Sequence, residues 1–516
     1  MINGSILVGA EDRRSDDDTF RAFAAANGDP IGPAFSESAP QDVSDACAKA
    51  ADASAPFASM EPARRAAFLD AIGEEILALG PELIEIAMAE TGLPQARLEN
   101  ERGRTVNQLA MFARELRRGE WLDVVIDAAL RERVPPRPDL RRMNVPLGPT
   151  AVFGASNFPL AFSVAGGDTA SAFAAGCPVV VKGHPAHPGT GELVARSVRA
   201  AAVRTAMPEG VFSFLPGRTY ALGTALVADP RIKAVGFTGS RRGGLALVEV
   251  ARDRREPIPV YAEMSSINPV VLLPHALADR AAELGRQFAG SLTLGAGQFC
   301  TNPGLVIALA GPDLEAFLNA AGAALGIAPP AAMLTTQIRN SFEAGVAALE
   351  TCAELERIAG RQTDGLRHSA LFKTDIKRFI DNASLREEVF GASAIVVVCR
   401  SLAEIAQAIS ALEGQLTMTI HCDGDDAKHA GFILAAASDK AGRVLANGWP
   451  TGVEVAPAMV HGGPFPATSD GRSTSVGTLA MRRFLRPICL QDIPEILLPA
   501  PLRDANPWGV PQRRDD

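Results

Sequence analysis

The 516-residue sequence has no two cysteines in Cys-x-x-Cys spacing. Its seven cysteines, Cys47, Cys177, Cys300, Cys352, Cys399, Cys422 and Cys489, are odd in number and scattered. That argues against a zinc ribbon, an iron–sulfur site and a disulfide framework. It points to a reducing, cytoplasmic setting in which most thiols are small core hydrophobes. A basic excess is also lacking: 50 Lys and Arg stand against 59 Asp and Glu, for a net charge of −9. A nucleic-acid partner and a polybasic membrane contact are therefore disfavoured. His184, His187, His421 and His461 show no metal-ligand spacing with Cys or Asp, so no metal is expected. No basic segment precedes an apolar one at the N-terminus, and no secretory leader is expected. Repeats, low-complexity tracts, a Gly-x-Gly-x-x-Gly fingerprint and a Walker lysine are absent too.

Uncharged runs are few. Residues 143–167 and 287–312 contain no Asp, Glu, Lys or Arg, and each is long enough to span a bilayer. Prolines, glycines, Asn157, Gln298 and Asn302 interrupt them, so both read as buried strand, turn and helix rather than membrane spans. A chain of this length predicts about three domains or lobes.

The periodicity predicts helices over 61–79, 81–91 and 98–121. Residues 124–126 and 131–134 read as strands of a protruding ribbon, with prolines at 135, 136 and 138. From 147 onward, strands alternate with helices. Among them are a helix over 162–175, the strand 178–181, helices over 191–206 and 220–228, and the strand Val260–Glu263. That alternation predicts a doubly wound α/β sheet, repeated in kind after about residue 275. Residues 449–478 are rich in Gly, Pro, Ser and Thr and read as a long surface loop.

Several positions carry candidate chemistry, each beside a plainer reading. Cys300 lies in Gly-Gln-Phe-Cys-Thr, where small neighbours leave a thiol reachable; an arbitrary cysteine is usually inert packing. Glu263 ends an apolar strand, the ligand edge of a parallel sheet, and could be a general base with a raised pKa or merely a surface carboxylate. Asn157, in Gly-Ala-Ser-Asn-Phe-Pro, offers an amide to an oxyanion or makes an Asx turn. Gly239, Ser240 and Gly244 follow a strand and open a helix, a setting for nucleotide phosphate or an ordinary helix start. Lys182 and Glu388 sit where a nucleotide ribose could bind, or are solvated charges.

In order and spacing these pieces resemble the NAD(P)-dependent aldehyde dehydrogenase superfamily. The matching segments are Ser-Asn157-Phe-Pro, Val-Val-Lys182, Phe-Thr-Gly239-Ser240 with Gly244, Ala-Glu263-Met-Ser-Ser-Ile-Asn-Pro, Gly-Gln-Phe-Cys300-Thr and Glu388-Val-Phe390-Gly. The segments from Phe153 to Asp168, from Asn447 to Val453 and from Met459 to Pro464 resemble one branch more closely. It holds 2-oxoglutarate semialdehyde (2,5-dioxovalerate) dehydrogenases and NADP-linked fatty-aldehyde dehydrogenases.

The resemblance implies roles. Cys300 would be the nucleophile, Asn157 with the Cys300 amide the oxyanion holder, and Glu263 the base that activates the hydrolytic water. Lys182 and Glu388 would bind riboses, Gly239 and Ser240 the pyrophosphate, and Phe390 the nicotinamide ribose. Three departures stand out. Pro185 replaces a ribose-binding Glu, so NADP is preferred over NAD as the expected cofactor, with His184 or Arg218 assisting. Ser265 replaces a glycine. No substrate arginine is evident near Asn157 or Cys300, which leaves Arg104, Gln108, Phe158 and Phe465 as candidates to line the substrate tunnel.

The expected fold is α/β. A Rossmann-type cofactor domain takes 1–124 and 147–264, a catalytic domain 265–476, and a β-ribbon oligomerisation arm and tail 125–146 and 477–516. A homodimer or homotetramer is expected, because a lone ribbon needs its edges covered. The expected reaction is oxidation of 2-oxoglutarate semialdehyde to 2-oxoglutarate through a cysteine thioester. The alternatives are a broad or long-chain fatty aldehyde dehydrogenase and a catalytically silent structural protein on the same fold.

Overall fold

The computed structural model describes residues 2–15, 18–363 and 365–515. Its described strands form two seven-stranded sheets, one four-stranded sheet and a two-stranded hairpin. The first large sheet runs in the order Val260–Glu263, Ala234–Thr238, Thr150–Phe153, Val179–Lys182, Phe212–Leu215, Ile6–Val8 and Glu11–Arg13. The first five are parallel, and the two N-terminal strands close the edge antiparallel.

Side-chain alternation along these strands explains the layers. Val152, Val179 and Val181 face the helices Pro62–Ala78, Gln95–Arg118, Gly167–Ala175 and Pro188–Arg204. Ala151, Phe153 and Val180 face the opposite way, toward Pro40–Ala58, Tyr220–Ala228 and Arg241–Arg252. A strand with both faces covered must be apolar throughout, which is why Val179–Lys182 begins Val-Val-Val.

The second large sheet repeats this logic. Its order is Glu356–Thr363, Leu366–Asp375, Ser393–Cys399, Leu305–Leu309, Pro269–Leu272, Gln415–His421 and Ala441–Ala446. Val271 and Ile307 face one apolar layer, Val270 and Val306 the other. The four-stranded sheet joins distant segments: Leu140–Pro146 pairs with Leu485–Gln491 on one side and with Val124–Asp127 on the other. The terminal strand Gln512–Asp515 adds to Val124–Asp127.

Three local expectations need correction. No strand forms over 131–134, where Leu130 and Arg137 make only an isolated bridge. Prolines 135, 136 and 138 lack the N–H that a ladder needs, so the return strand starts after them, at Leu140. The helix expected over 162–175 is confined to Gly167–Ala175. The preceding segment is held instead by Glu101, whose carboxylate accepts from the Leu160 and Ala161 amides, each at 2.9 Å. Residues 449–478 are not a surface loop throughout: His461, Ala467, Ser475 and Val476 are buried. Among the described residues, no helix is long and apolar enough to cross a membrane.

Buried between the first sheet and the 478–484 turn, Asp168 meets Arg483 at 2.7 Å. Removing one member of such a pair strands the other charge away from water, at a cost of about 3–5 kcal/mol. Asp168→Ala should therefore lower the apparent Tm by several degrees in a thermal scan; an unchanged Tm would show that Arg483 finds compensation.

Candidate active site

The two large sheets aim their strand ends at one region. Glu263 is the last residue of Val260–Glu263, at the carboxyl edge of the first sheet, and is buried. Cys300 sits on the turn that follows the short helix Leu294–Gly297 and precedes Leu305–Leu309 of the second sheet.

Backbone constraints fix that turn. Gly297 has φ +71°, and a Cβ there would lie 2.3 Å from the Ala392 nitrogen, so only glycine fits. Gln298 binds the loop beyond it, accepting from the Leu334 amide at 3.0 Å and donating to Gly295 O at 3.0 Å. Asn268 donates from Nδ2 to Cys300 O at 2.8 Å and to Asn302 O at 2.9 Å. Asn157, on the loop after Thr150–Phe153, donates to Gln298 O at 2.9 Å. That bond uses one of the two N–H groups of its amide. Asn157 therefore lies against the Cys300 turn.

Between Cys300 and Glu263 stands His461, a residue that sequence spacing gave no reason to choose. Its Nε2 is 3.4 Å from Cys300 Sγ and 2.9 Å from Glu263 Oε1. Ser475 Oγ donates to the other carboxylate oxygen at 2.6 Å and also lies 3.1 Å from His461 O. His461 is fully buried, with Phe162 packed on its ring. The donor atoms of Glu263, Cys300 and His461 all lie within 4.8 Å of one another. No linear spacing encodes this cluster. The one available signal was a histidine inside the Met459–Pro464 segment that resembles the same branch.

The electrostatics separate the two titratable ends. Burial pushes the Glu263 carboxyl up, but the neighbouring His461 and the hydrogen bonds from His461, Ser475 and Cys300 outweigh burial and leave it below its ordinary value. This reverses the expected raised pKa. Glu263 is a carboxylate at neutral pH and can accept a proton. Cys300 goes the other way. Burial, reinforced by the Glu263 charge, pushes its thiol well above the ordinary value. The thiol is thus protonated at neutral pH, with His461 Nε2 3.4 Å from its sulfur.

A second group borders Cys300 from the helix Gln95–Arg118. The Arg104 guanidinium lies 4.8 Å from the Phe162 ring centroid and 5.9 Å from that of Phe158. Its Nε donates to Val453 O at 3.2 Å, while Nη1 and Nη2 are buried with no hydrogen-bond partner. Burial pulls the guanidinium down from its ordinary value, opposed by Glu101, Cys300 and Glu263 nearby. Gln108, one turn further on, is also buried with both amide atoms unpartnered. Phe158, Phe162 and Phe299 join one apolar cluster beside these groups. Phe465 does not: it is 56% exposed, near Arg241.

The expected nucleotide residues line the same side of the first sheet. Lys182 ends Val179–Lys182, and burial pushes its ammonium down to about 8, against the pull of Glu37. No carboxylate pairs with it within 4 Å among the described residues. Ser240 caps the exposed start of Arg241–Arg252, its hydroxyl accepting from the Gly243 amide at 3.2 Å. Gly244 packs closely on Met264, whose Sδ would lie 2.8 Å from a Cβ there. On the opposite wall, Glu388, Phe390, Gly391, Ser266 and Asn302 line one cleft. Burial raises the Glu388 carboxyl to about 7, although a Ser265 hydrogen bond works against the rise.

His184 and Arg218 are poorly set to neutralise a phosphate. His184 stacks on His187 at 5.2 Å, and burial holds its ring well below its ordinary value, hence neutral. Arg218 Nε lies 3.5 Å from Glu37 Oε2.

The raised Cys300 thiol makes a kinetic prediction. Alkylation of Cys300 by iodoacetamide in the ligand-free protein, followed by peptide mass spectrometry, should be slow at neutral pH and still rising at about pH 9. A plateau near neutral pH would mean that the thiolate is already formed.

Comparison with known proteins converges on the same reading. The model of the aldehyde dehydrogenase family matches residues 13–464. An alpha-ketoglutaric semialdehyde dehydrogenase 2 from Azospirillum brasilense is 54% identical, covering 100% of this chain and 99% of the relative. An alpha-ketoglutaric semialdehyde dehydrogenase from Acinetobacter baylyi is 44% identical, covering 98% and 97%. Among solved structures, a methylmalonate-semialdehyde dehydrogenase from Oceanimonas doudoroffii superposes with a TM-score of 0.80 at 20% identity, over 95% of this chain and 98% of that one. An NAD-dependent aldehyde dehydrogenase from Sinorhizobium meliloti gives a TM-score of 0.79 at 22% identity, covering 95% and 94%. These structural likenesses bear on the fold alone, and the family model and the two relatives carry the assignment: the chain belongs to the aldehyde dehydrogenase family.

Proposed function

We propose that this enzyme oxidises 2-oxoglutarate semialdehyde to 2-oxoglutarate, with Arg104 holding the substrate's carboxylate. One observation carries the substrate: a buried guanidinium beside Cys300 with two unpartnered nitrogens. Leaving such groups unpaired is costly, and a carboxylate satisfies both with parallel hydrogen bonds. Two relatives spanning almost the whole chain are named for the same substrate. An aliphatic aldehyde gives Arg104 nothing to bind, which weighs against the fatty-aldehyde alternative.

The site residues take the following roles. Cys300 loses its proton to solvent and its sulfur attacks the aldehyde carbon, while His461 Nε2 donates to Glu263 and keeps that carboxylate ionised. Asn157 and the Cys300 amide hold the oxygen that becomes negative. NAD(P)+, when bound, would supply the acceptor for the hydride that the substrate carbon must lose. The acyl group then remains on Cys300 as a thioester. Glu263, kept ionised by its neighbours, takes a proton from water as that water attacks the thioester.

Lys182 and Glu388 bind ribose hydroxyls and Ser240 with Gly239 faces the pyrophosphate, a fit supported by the unpaired Lys182 ammonium and the exposed helix start. NADP+ is accepted alongside NAD+, because Pro185 presents no carboxylate to a 2′-phosphate; the neutral His184 and the engaged Arg218 keep the preference small. Residues 1–124 with 147–264 form the cofactor domain and 265–476 the catalytic domain. The ribbon and tail join subunits into a dimer or tetramer in a cytoplasmic enzyme.

A steady-state panel of aldehydes with both cofactors tests the reading. Arg104→Gln should lower kcat/KM for 2-oxoglutarate semialdehyde by about 10–150-fold, the loss of a charged hydrogen bond of about 1.5–3 kcal/mol. Activity on hexanal should hold or rise. Equal losses on both substrates would remove Arg104 from substrate recognition. His461→Gln should lower kcat by about 100-fold or more while the dissociation constant for NADP+ stays within error. Full activity in that variant would show that Glu263 needs no help from the histidine to stay ionised.

A further inference from the structure

We propose that Glu263, Cys300 and His461 also form a zinc site, through which free Zn2+ reversibly shuts the enzyme off. The inference rests on the geometry of the three side chains and does not depend on which aldehyde is the substrate.

The donor set is of the three-ligand kind: one sulfur, one imidazole nitrogen and one carboxylate oxygen. A zinc ion binds such atoms at about 2.3, 2.0 and 2.0 Å in tetrahedral directions, which requires donor separations of about 3.2–3.6 Å. Here Nε2 to Sγ is 3.4 Å, Nε2 to Oε1 is 2.9 Å, and all three donors fall within 4.8 Å. Small side-chain rotations bring them onto one ion. Ser475 Oγ, donating to the second Glu263 oxygen at 2.6 Å, already orients the carboxylate from behind.

Charge and softness select the ion. Bound as thiolate, Cys300 contributes one negative charge and Glu263 another, so a divalent cation is neutralised by its ligands. This offsets the field of Arg104, whose charge reaches Cys300. A thiolate and an imidazole suit Zn2+ or Co2+ and give little to Mg2+ or Ca2+, which demand oxygen donors. On binding, the S–H bond breaks and its proton leaves to solvent, the Nε2 proton is exchanged for one on the unpartnered Nδ1, and sulfur–zinc and nitrogen–zinc bonds form. No electron moves. Inhibition follows because the metal ties up the sulfur's nucleophilic electron pair and the Glu263 oxygen can no longer take a proton from water. His461 is decisive, since a cysteine and a carboxylate alone offer only two donors.

Cobalt tests the site without relying on turnover. Co2+ is added to the thoroughly chelated full-length protein, and the thiolate-to-cobalt absorption band in the near ultraviolet is titrated. One band per protomer should develop, vanish in Cys300→Ala and be displaced by Zn2+. His461→Gln, which keeps the thiol, should weaken Co2+ and Zn2+ binding by at least about 100-fold. Zn2+ should also protect Cys300 of the unaltered protein from iodoacetamide, with EDTA restoring both labelling and activity. A band that persists in Cys300→Ala, unchanged affinity in His461→Gln, or undiminished Cys300 labelling in saturating zinc would each overturn the proposal.

Discussion

The contact between Cys300, His461 and Glu263 is the constraint around which this active centre is organised. A thiol buried beside a carboxylate is held in its unreactive, protonated form. A carboxylate buried alone would be protonated as well. The imidazole resolves the second problem: its Nε2 donates to Glu263 and holds the carboxylate in its ionised form, while lying 3.4 Å from the thiol. The chemistry is carried by the balance among the three, and none of them has suitable properties in isolation.

Most of the surrounding structure serves to bring these groups together from distant parts of the chain. Glu263 is delivered by the last strand of the first sheet and Cys300 by a turn of the second. Gly297 is locked by a backbone contact that no side chain could survive, and Asn268 and Gln298 pin the turn from both ends. His461 comes from the long connection after the second sheet, which is drawn into the interior by Ser475, Thr474 and the Met264–Ala467 backbone bond. The aromatic cluster of Phe158, Phe162 and Phe299 packs beside Arg104, whose two Nη nitrogens are buried without hydrogen-bond partners.

Much of this was legible in the chain. The alternation of apolar runs with helical periods located the strand Val260–Glu263 and the helix Tyr220–Ala228 with the bounds they have in the fold, because strands buried on both faces must be continuously apolar. The motifs around Asn157 and Cys300 led to two loops that do touch. What escaped was long-range. His461 carries no linear signature, since its partners lie 161 and 198 residues away. A loop rich in Gly and Ser looks solvent-exposed until its polar atoms find buried partners. Residues 162–166 have the composition of a helix, but the neighbouring amides were already claimed by Glu101, a competitor that local propensity does not register. Glu263 was expected to be raised by burial, an effect that is present but outweighed by a neighbour the sequence did not reveal.

The most direct measurement is to trap the covalent intermediate. Glu263→Gln should still form the thioester but be unable to activate the water that hydrolyses it. Mixed with 2-oxoglutarate semialdehyde and NADP+ and acid-quenched, it should carry one acyl group per protomer, mapped by mass spectrometry to the peptide containing Cys300. No adduct, or an adduct on any other cysteine, would contradict the account.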